Sequence, residues 1–288
     1  MEVRVNKEEA MKRSDDALHE LAEALKQGKS DTLLKYLDML GRFHQYSFGN
    51  CILITLQKPD ATMVAGFNRW KQLSRWVKKD EKGIGILAPV ISKKKKDVPE
   101  EESEESSEEK KARVLRGFRI AHVFDVTQTE GKELPEFAKL GGDPGDRIER
   151  VLAICEAKTL TVEFVQDLGG ANGVSLGGHI QVLESLEAPQ KFSTLIHELA
   201  HELLHRGDRR ESTTKAIRET EAEAVAYVVC RTIGLECSTK ASDYIQLWNG
   251  DENILMQSLE LIRNVAASIL AELETAPTSS DEGGHDHE

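Results

Sequence analysis

Three histidines fall within the segment STLIHELAHELLHR, at His197, His201 and His205, with Glu198 beside the first. On an α-helix, residues four apart lie one turn apart on the same face, so His197 and His201 can hold one ion between them. Imidazole nitrogens bind zinc at about 2.0–2.1 Å and leave a position open for water. A glutamate at the position after the first histidine then serves as general base, not ligand, which is the role expected of Glu198. His205 would sit roughly 12 Å along the helix from His197, too far to share the ion. It is expected at the helix C-terminus, where a donor or cationic side chain is favoured.

A third ligand is therefore sought on a following helix. The segment IRETEAEAVAYVVC offers Glu219, Glu221 and Glu223. Glu219, Ala222, Glu223 and Ala226 share a stripe whose alanines allow close approach to the first helix. This reading takes Glu219 as ligand and Glu223 as acceptor for a ligand imidazole N–H. Glu221 is expected in solvent, and remains the rival for the ligand position. Such a site implies peptide hydrolysis. His179 and Tyr244 are candidates to stabilise an oxyanion, and the strand HIQVLES could take an extended peptide along its edge.

The elements that must position these residues follow from periodicity. Helical spacing predicts helices over residues 7–27, 32–42, 48–57 and 67–76. Period-two segments at 83–91 and 114–126 predict two paired strands. Between them, residues 92–112 form a charged tract too polar to order itself, expected as a disordered insertion. Residues 131–142 are Gly- and Pro-rich and predict a linker; a helix to 157, strands near 160–168 and 179–185, and helices over 189–205, 214–233 and 251–274 follow. The tail from 275, with His285 and His287, is expected to be solvated. The fold class is thus α+β: a helical N-terminal domain with a small antiparallel sheet over 1–130, then a second domain over 143–274.

No apolar run approaches the roughly 18 residues of a membrane span, and the first residues lack a signal peptide's apolar core. Cys51, Cys155, Cys230 and Cys237 show no metal-binding spacing and read as free thiols, which suits the cytoplasm. The formal charge of −12 hides a strong asymmetry. Residues 69–96 carry ten Lys or Arg against two acids, and 97–109 carry eight acids and no base. Arg69, Lys71, Arg75, Lys78, Lys79 and Lys82 interleave with Trp70 and Trp76, and a cationic stretch with aromatic faces suits single-stranded DNA.

The motif HELAHELLH followed by RETEAEAVAY resembles the zincin metallopeptidases of the ImmA/IrrE type. The stretches YSFGNCILITLQKPDATMVAGFNRWKQLSRWVKKDEKGIGILAPV and FRIAHVFDVTQTEGKELP resemble the N-terminal domain of the ArdC antirestriction family, which binds single-stranded DNA. The resemblance implies a zincin-like second domain and a zinc-dependent, gluzincin-like endopeptidase. It maps the Zn2+ ligands onto His197, His201 and Glu219 and the base onto Glu198, with single-stranded DNA and a protein substrate as partners. Two other readings stay open: a non-catalytic DNA-binding antirestriction protein with a structural zinc, and a regulatory peptidase that cuts a repressor. The insertion from Ser92 departs from the family pattern.

Overall fold

The computed structural model describes residues 6–27, 30–93, 113–133, 143–235 and 251–275. Expectations that concern Tyr244, Cys237, residues 94–112, residues 134–142 and the tail from 276 lie outside the described residues. Two compact units emerge, one of residues 1–14 and 53–131, the other of 15–52 and 132–288. Residues 15–52 therefore group with the C-terminal unit, a division that a single cut near residue 130 does not reproduce. Helices α1 (Lys7–Lys26) and α3 (Phe48–Gln57) contribute residues to both units.

In the first unit, β3 (Ile84–Lys93) and β4 (Arg113–Asp125) form an antiparallel ribbon, with a register shift between Val90 and Ile91. Strand β1 (Val64–Gly66) pairs with the other edge of β4. Side-chain alternation sends Ile84, Ile86 and Val123 inward, where they are buried with Val64, Ala65 and Trp70. The helix expected over 67–76 stops early. Helix α4 (Phe67–Gln72) ends, Ser74 takes a left-handed φ of 57°, and the chain enters β2 (Arg75–Val77). Trp76 and Val77 suit a pleated surface, and β2 pairs with β5 (Thr129–Gly131). Gly131, at φ 130°, must be glycine because a Cβ there would lie 2.4 Å from the Ser74 carbonyl oxygen.

Asp125 organises the entry to β5. Its buried carboxylate accepts from the Thr62, Met63 and Thr127 N–H groups at 2.9, 3.2 and 2.9 Å and from the Thr127 hydroxyl at 2.6 Å. The Gln128 side chain in turn accepts from the Asp125 N–H at 2.9 Å, closing a capping box on the 3-10 turn Val126–Gln128.

The second unit holds a three-stranded sheet in the order β6 (Thr161–Val165), β8 (His179–Leu183), β7 (Gly173–Ser175). Strand β6 runs parallel to β8 and β7 antiparallel to it. Strand β8 is therefore central, with both edges paired, and the peptide-binding edge expected on it is not available. The outer edges belong to β6 and to β7, the latter a three-residue strand in a Gly-rich stretch that carries too little periodicity to show in sequence.

Helix α6 (Ala188–Leu204) starts with a proline in its first turn, where a missing N–H costs nothing, and buries Phe192, Leu195, Ile196, Leu199 and Ala200. Helix α8 (Lys215–Thr232) is capped by the Thr214 hydroxyl, which accepts from the Ile217 N–H, and presents buried Ala222 and Ala226. These small side chains allow α6 and α8 to pack closely. The remaining helices of this unit are α2 (Ser30–Phe43), α5 (Arg147–Ala157), α7 (Asp208–Ser212) and α9 (Glu252–Thr275). Asp38 of α2 accepts from the Tyr227 hydroxyl of α8 at 2.8 Å. Helix α9 is long and apolar enough to cross a membrane by length and composition, which sequence reading did not anticipate. Its Leu255, Leu259, Ile262, Ala266 and Ile269 are buried, as a core helix requires. Cys51, Cys155 and Cys230 are free and buried.

Candidate metal centre

Helix α6 sets His197 and His201 one turn apart, and α8 brings Glu219 to them. The two Nε2 atoms are 3.1 Å apart, and Glu219 Oε2 lies 3.6 Å from each. These three residues form the one group among the described residues whose ligand atoms converge as a metal ion requires. A tetrahedral ion with bonds of about 2.0–2.1 Å sets its ligand atoms roughly 3.3–3.4 Å apart. The separations fit that spacing, and two imidazoles with a carboxylate suit a zinc-type ion. Glu219 is half exposed, so the centre opens on that side.

Each imidazole has an outer partner. His197 Nδ1 lies 3.4 Å from Glu223 Oε2, the outer contact expected from spacing. His201 Nδ1 lies 3.0 Å from His205 Nδ1, and His205 Nε2 lies 2.9 Å from Glu221 Oε2. His205 does end α6, but its imidazole turns into the protein instead of serving the helix terminus. Glu221 is a plain correction: expected in solvent, it is wholly buried. Arg209 donates to both of its oxygens at 2.5 and 2.7 Å, and the Ser258 hydroxyl donates at 2.6 Å. Local sequence carries little signal for this, because Glu221 stands between Glu219 and Glu223 and only the packing of α8 turns it inward.

Electrostatics follow from these contacts. Burial opposes protonation of His197, but Glu219 and Glu223 outweigh it and push its pKa up to about 9. The same contacts from His197 and His201 hold Glu219 well below the usual carboxylate range. Burial raises the pKa of Glu198, against the lowering by His197 and His201. Burial likewise lowers the pKa of His205, outweighing the opposing contact with Glu221. Glu221 itself is held low: burial would raise it, but His205, Ser258 and Arg209 prevail. A group that must trade a proton for an ion makes ion binding pH-dependent.

Glu198 is buried on the same helix turn and lies against β7, where a Cβ on Gly173 would come within 2.9 Å of its Oε1. The antiparallel register, with Leu183 N–H donating to the Asn172 carbonyl and Leu176 N–H to the His179 carbonyl, turns the backbone groups of Gly173 and Ser175 outward on the open edge. His179 is not part of the centre. It shares the sheet face of Gln181, opposite buried Ile180 and Val182, and its ring meets Thr161 Oγ1 at 2.7 Å and Glu163 at 3.4 Å.

The DNA-binding candidates lie in the first unit, and the structure separates them. Trp70 is fully buried and its indole N–H donates to the Phe124 carbonyl at 2.9 Å, so it offers no face for stacking. Trp76 is 53% exposed, and Phe67, missed in sequence, is 55% exposed. Arg69, Lys71, Lys78, Lys79 and Lys82 are exposed, while the Arg75 guanidinium is held by Thr129.

The family comparison bears on this N-terminal part, and the others extend beyond it. Residues 8–124 match the family described as the N-terminal domain of anti-restriction factor ArdC. The chain is 24% identical, over 272 residues, to an uncharacterized protein from Bacillus anthracis, covering 77% of this chain and 44% of that protein. It thus spans less than half the length of that curated relative. The metal-free crystal structure of the antirestriction protein ArdC from the R388 plasmid is 18% identical, with TM-score 0.46, over 81% of this chain and 86% of that one. Its Mn(II)-bound structure is 17% identical, with TM-score 0.43, over 83% and 98%. The match to the ArdC N-terminal domain thus covers residues 8–124, less than half of the chain.

Proposed function

We propose that the protein is a zinc-dependent peptidase of the zincin type whose N-terminal domain engages single-stranded DNA, acting in antirestriction or in proteolysis close to DNA in the cytoplasm. The observation that carries the peptidase reading is the convergence of His197, His201 and Glu219 with Glu198 buried on the same helix. An ion held by the three would polarise a carbonyl and make a bound water more acidic. Glu198 would take the proton of the attacking water as it adds to the peptide carbonyl carbon. It would then return that proton to the amine nitrogen as the C–N bond breaks. Burial raises the proton affinity of the Glu198 carboxylate, which suits it to this exchange. Gly173 and Ser175 would hold the substrate chain as an added strand on β7, which aligns the scissile bond beside Glu198.

The DNA reading rests on the ArdC-type domain and on Trp76 and Phe67 standing exposed among Arg69, Lys71, Lys78, Lys79 and Lys82. The deciding experiment compares wild type with Glu198→Gln. The variant should retain Zn2+ and oligo(dT) binding and lose peptide hydrolysis by at least about 100-fold. Equal protection of unmodified incoming DNA by both proteins would mean that hydrolysis is not what the protein does.

A further inference from the structure

We infer that His205 and Glu221 are positioning residues for His201, fixing the tautomer that turns its Nε2 lone pair toward His197 and Glu219; this rests on reading those three residues as a metal centre. The argument starts from Glu221. Its carboxylate is ionised against Arg209 and takes a further hydrogen bond from Ser258, so it has only acceptors to offer. His205 Nε2, 2.9 Å from Glu221 Oε2, must therefore carry the proton. A neutral imidazole has one donor and one acceptor, so His205 Nδ1 is an acceptor. His201 Nδ1, 3.0 Å away, must then donate to it. In its neutral form His201 therefore carries its proton at Nδ1 and turns its Nε2 lone pair to His197 Nε2, 3.1 Å away, and Glu219 Oε2, 3.6 Å away.

The two ligand histidines are held differently. The side chain of Glu223, which serves His197, is 39% exposed and can rotate away. The His205 and Glu221 side chains are 0% exposed. Their chain of contacts runs from α6 through α8 to Ser258 on α9, with Arg209 supplied by α7. A buried ionised carboxylate is costly unless its oxygens are fully paired, and here every donor around Glu221 enforces one proton arrangement. Neutral His201 is thereby held in the tautomer a ligand needs before any ion arrives.

The test uses the full chain and measures Zn2+ affinity by competition with a chelator. His205→Phe keeps the ring volume but gives His201 no acceptor, and should weaken Zn2+ binding about 10–100-fold. His205→Gln can accept from His201 and donate to Glu221, so it should stay within about threefold of wild type. Equal affinity of His205→Phe and wild type would overturn the inference, as would His205→Gln binding as weakly as the phenylalanine variant. Nitrogen-15 NMR of the metal-free wild type gives a second readout that needs no variant to fold. It should show His201 protonated at Nδ1 and His205 at Nε2, and the opposite pair of tautomers overturns the relay. A wild type with those tautomers but no Zn2+ uptake would defeat the metal reading and leave the relay standing.

Discussion

Trp70 donates its indole N–H into the core of the N-terminal unit, whereas Trp76, on the neighbouring strand, stands half exposed. Their substitutions should therefore separate. Trp76→Ala should weaken oligo(dT) binding by about 1–3 kcal/mol, the worth of one stacked base, and leave the melting temperature nearly unchanged. Trp70→Ala should cost about 3–5 kcal/mol of stability, measured by denaturant melts, because it opens a cavity and removes the indole hydrogen bond to the Phe124 carbonyl. Composition treats the two residues alike, and only burial tells them apart. The His–Glu cluster was more legible: spacing along one helix places His197 and His201, and the alanine stripe of the next helix offers Glu219 together with Glu223. Glu221 and His205 were misread because their positions depend on which helices pack around them, and local spacing does not encode that.

Between the residue and the unit lie short connecting elements, and these were the hardest to see. The turn after β4 depends on Asp125. Burial alone would raise its pKa, but the hydrogen bonds from Thr127, Thr62 and Met63 bring it below the usual carboxylate value. A carboxylate whose folded pKa lies under its unfolded value of about 3.9 adds stability that is complete above that pH. That stability is lost as pH falls through the folded value. Melting of the N-terminal unit should accordingly become pH-dependent only below about pH 4, and Asp125→Asn should flatten that dependence while lowering stability at neutral pH. Strand β7 makes the second case. A Cβ at Gly173 would lie 2.7 Å from Thr194 Cγ2 and 2.9 Å from Glu198 Oε1. Both side chains would have to give, and Glu198 would move with Thr194. Gly173→Ala should hence slow hydrolysis by about 10–100-fold through misplacement of the carboxylate, with Zn2+ affinity unchanged. Turnover equal to wild type would show that the Glu198 position seen here is not the working one. Three residues in a Gly-rich stretch gave no period to read, so neither β7 nor its open edge could be placed from sequence.

At the scale of the whole molecule, charge and division into units make a joint demand. The chain carries a net −12, yet Arg69, Lys71, Lys78, Lys79 and Lys82 stand exposed in the first unit. A phosphate chain responds to that local field and not to the total, and each phosphate neutralised releases counterions. Plotted as log affinity against log salt, oligo(dT) binding should fall with a slope of about −0.7 for every phosphate contacted. Replacing Lys79 and Lys82 together with glutamine should reduce the slope by about 1.4. An unchanged slope would remove both residues from the DNA path. The His–Glu cluster belongs to the other compact unit. Stripping the ion with a chelator should consequently leave the oligo(dT) salt slope where it was, and the double lysine variant should keep its Zn2+ affinity. Loss of DNA binding on chelation would instead make the ion a structural requirement of the N-terminal domain, which nothing in the placement of His197, His201 and Glu219 provides for.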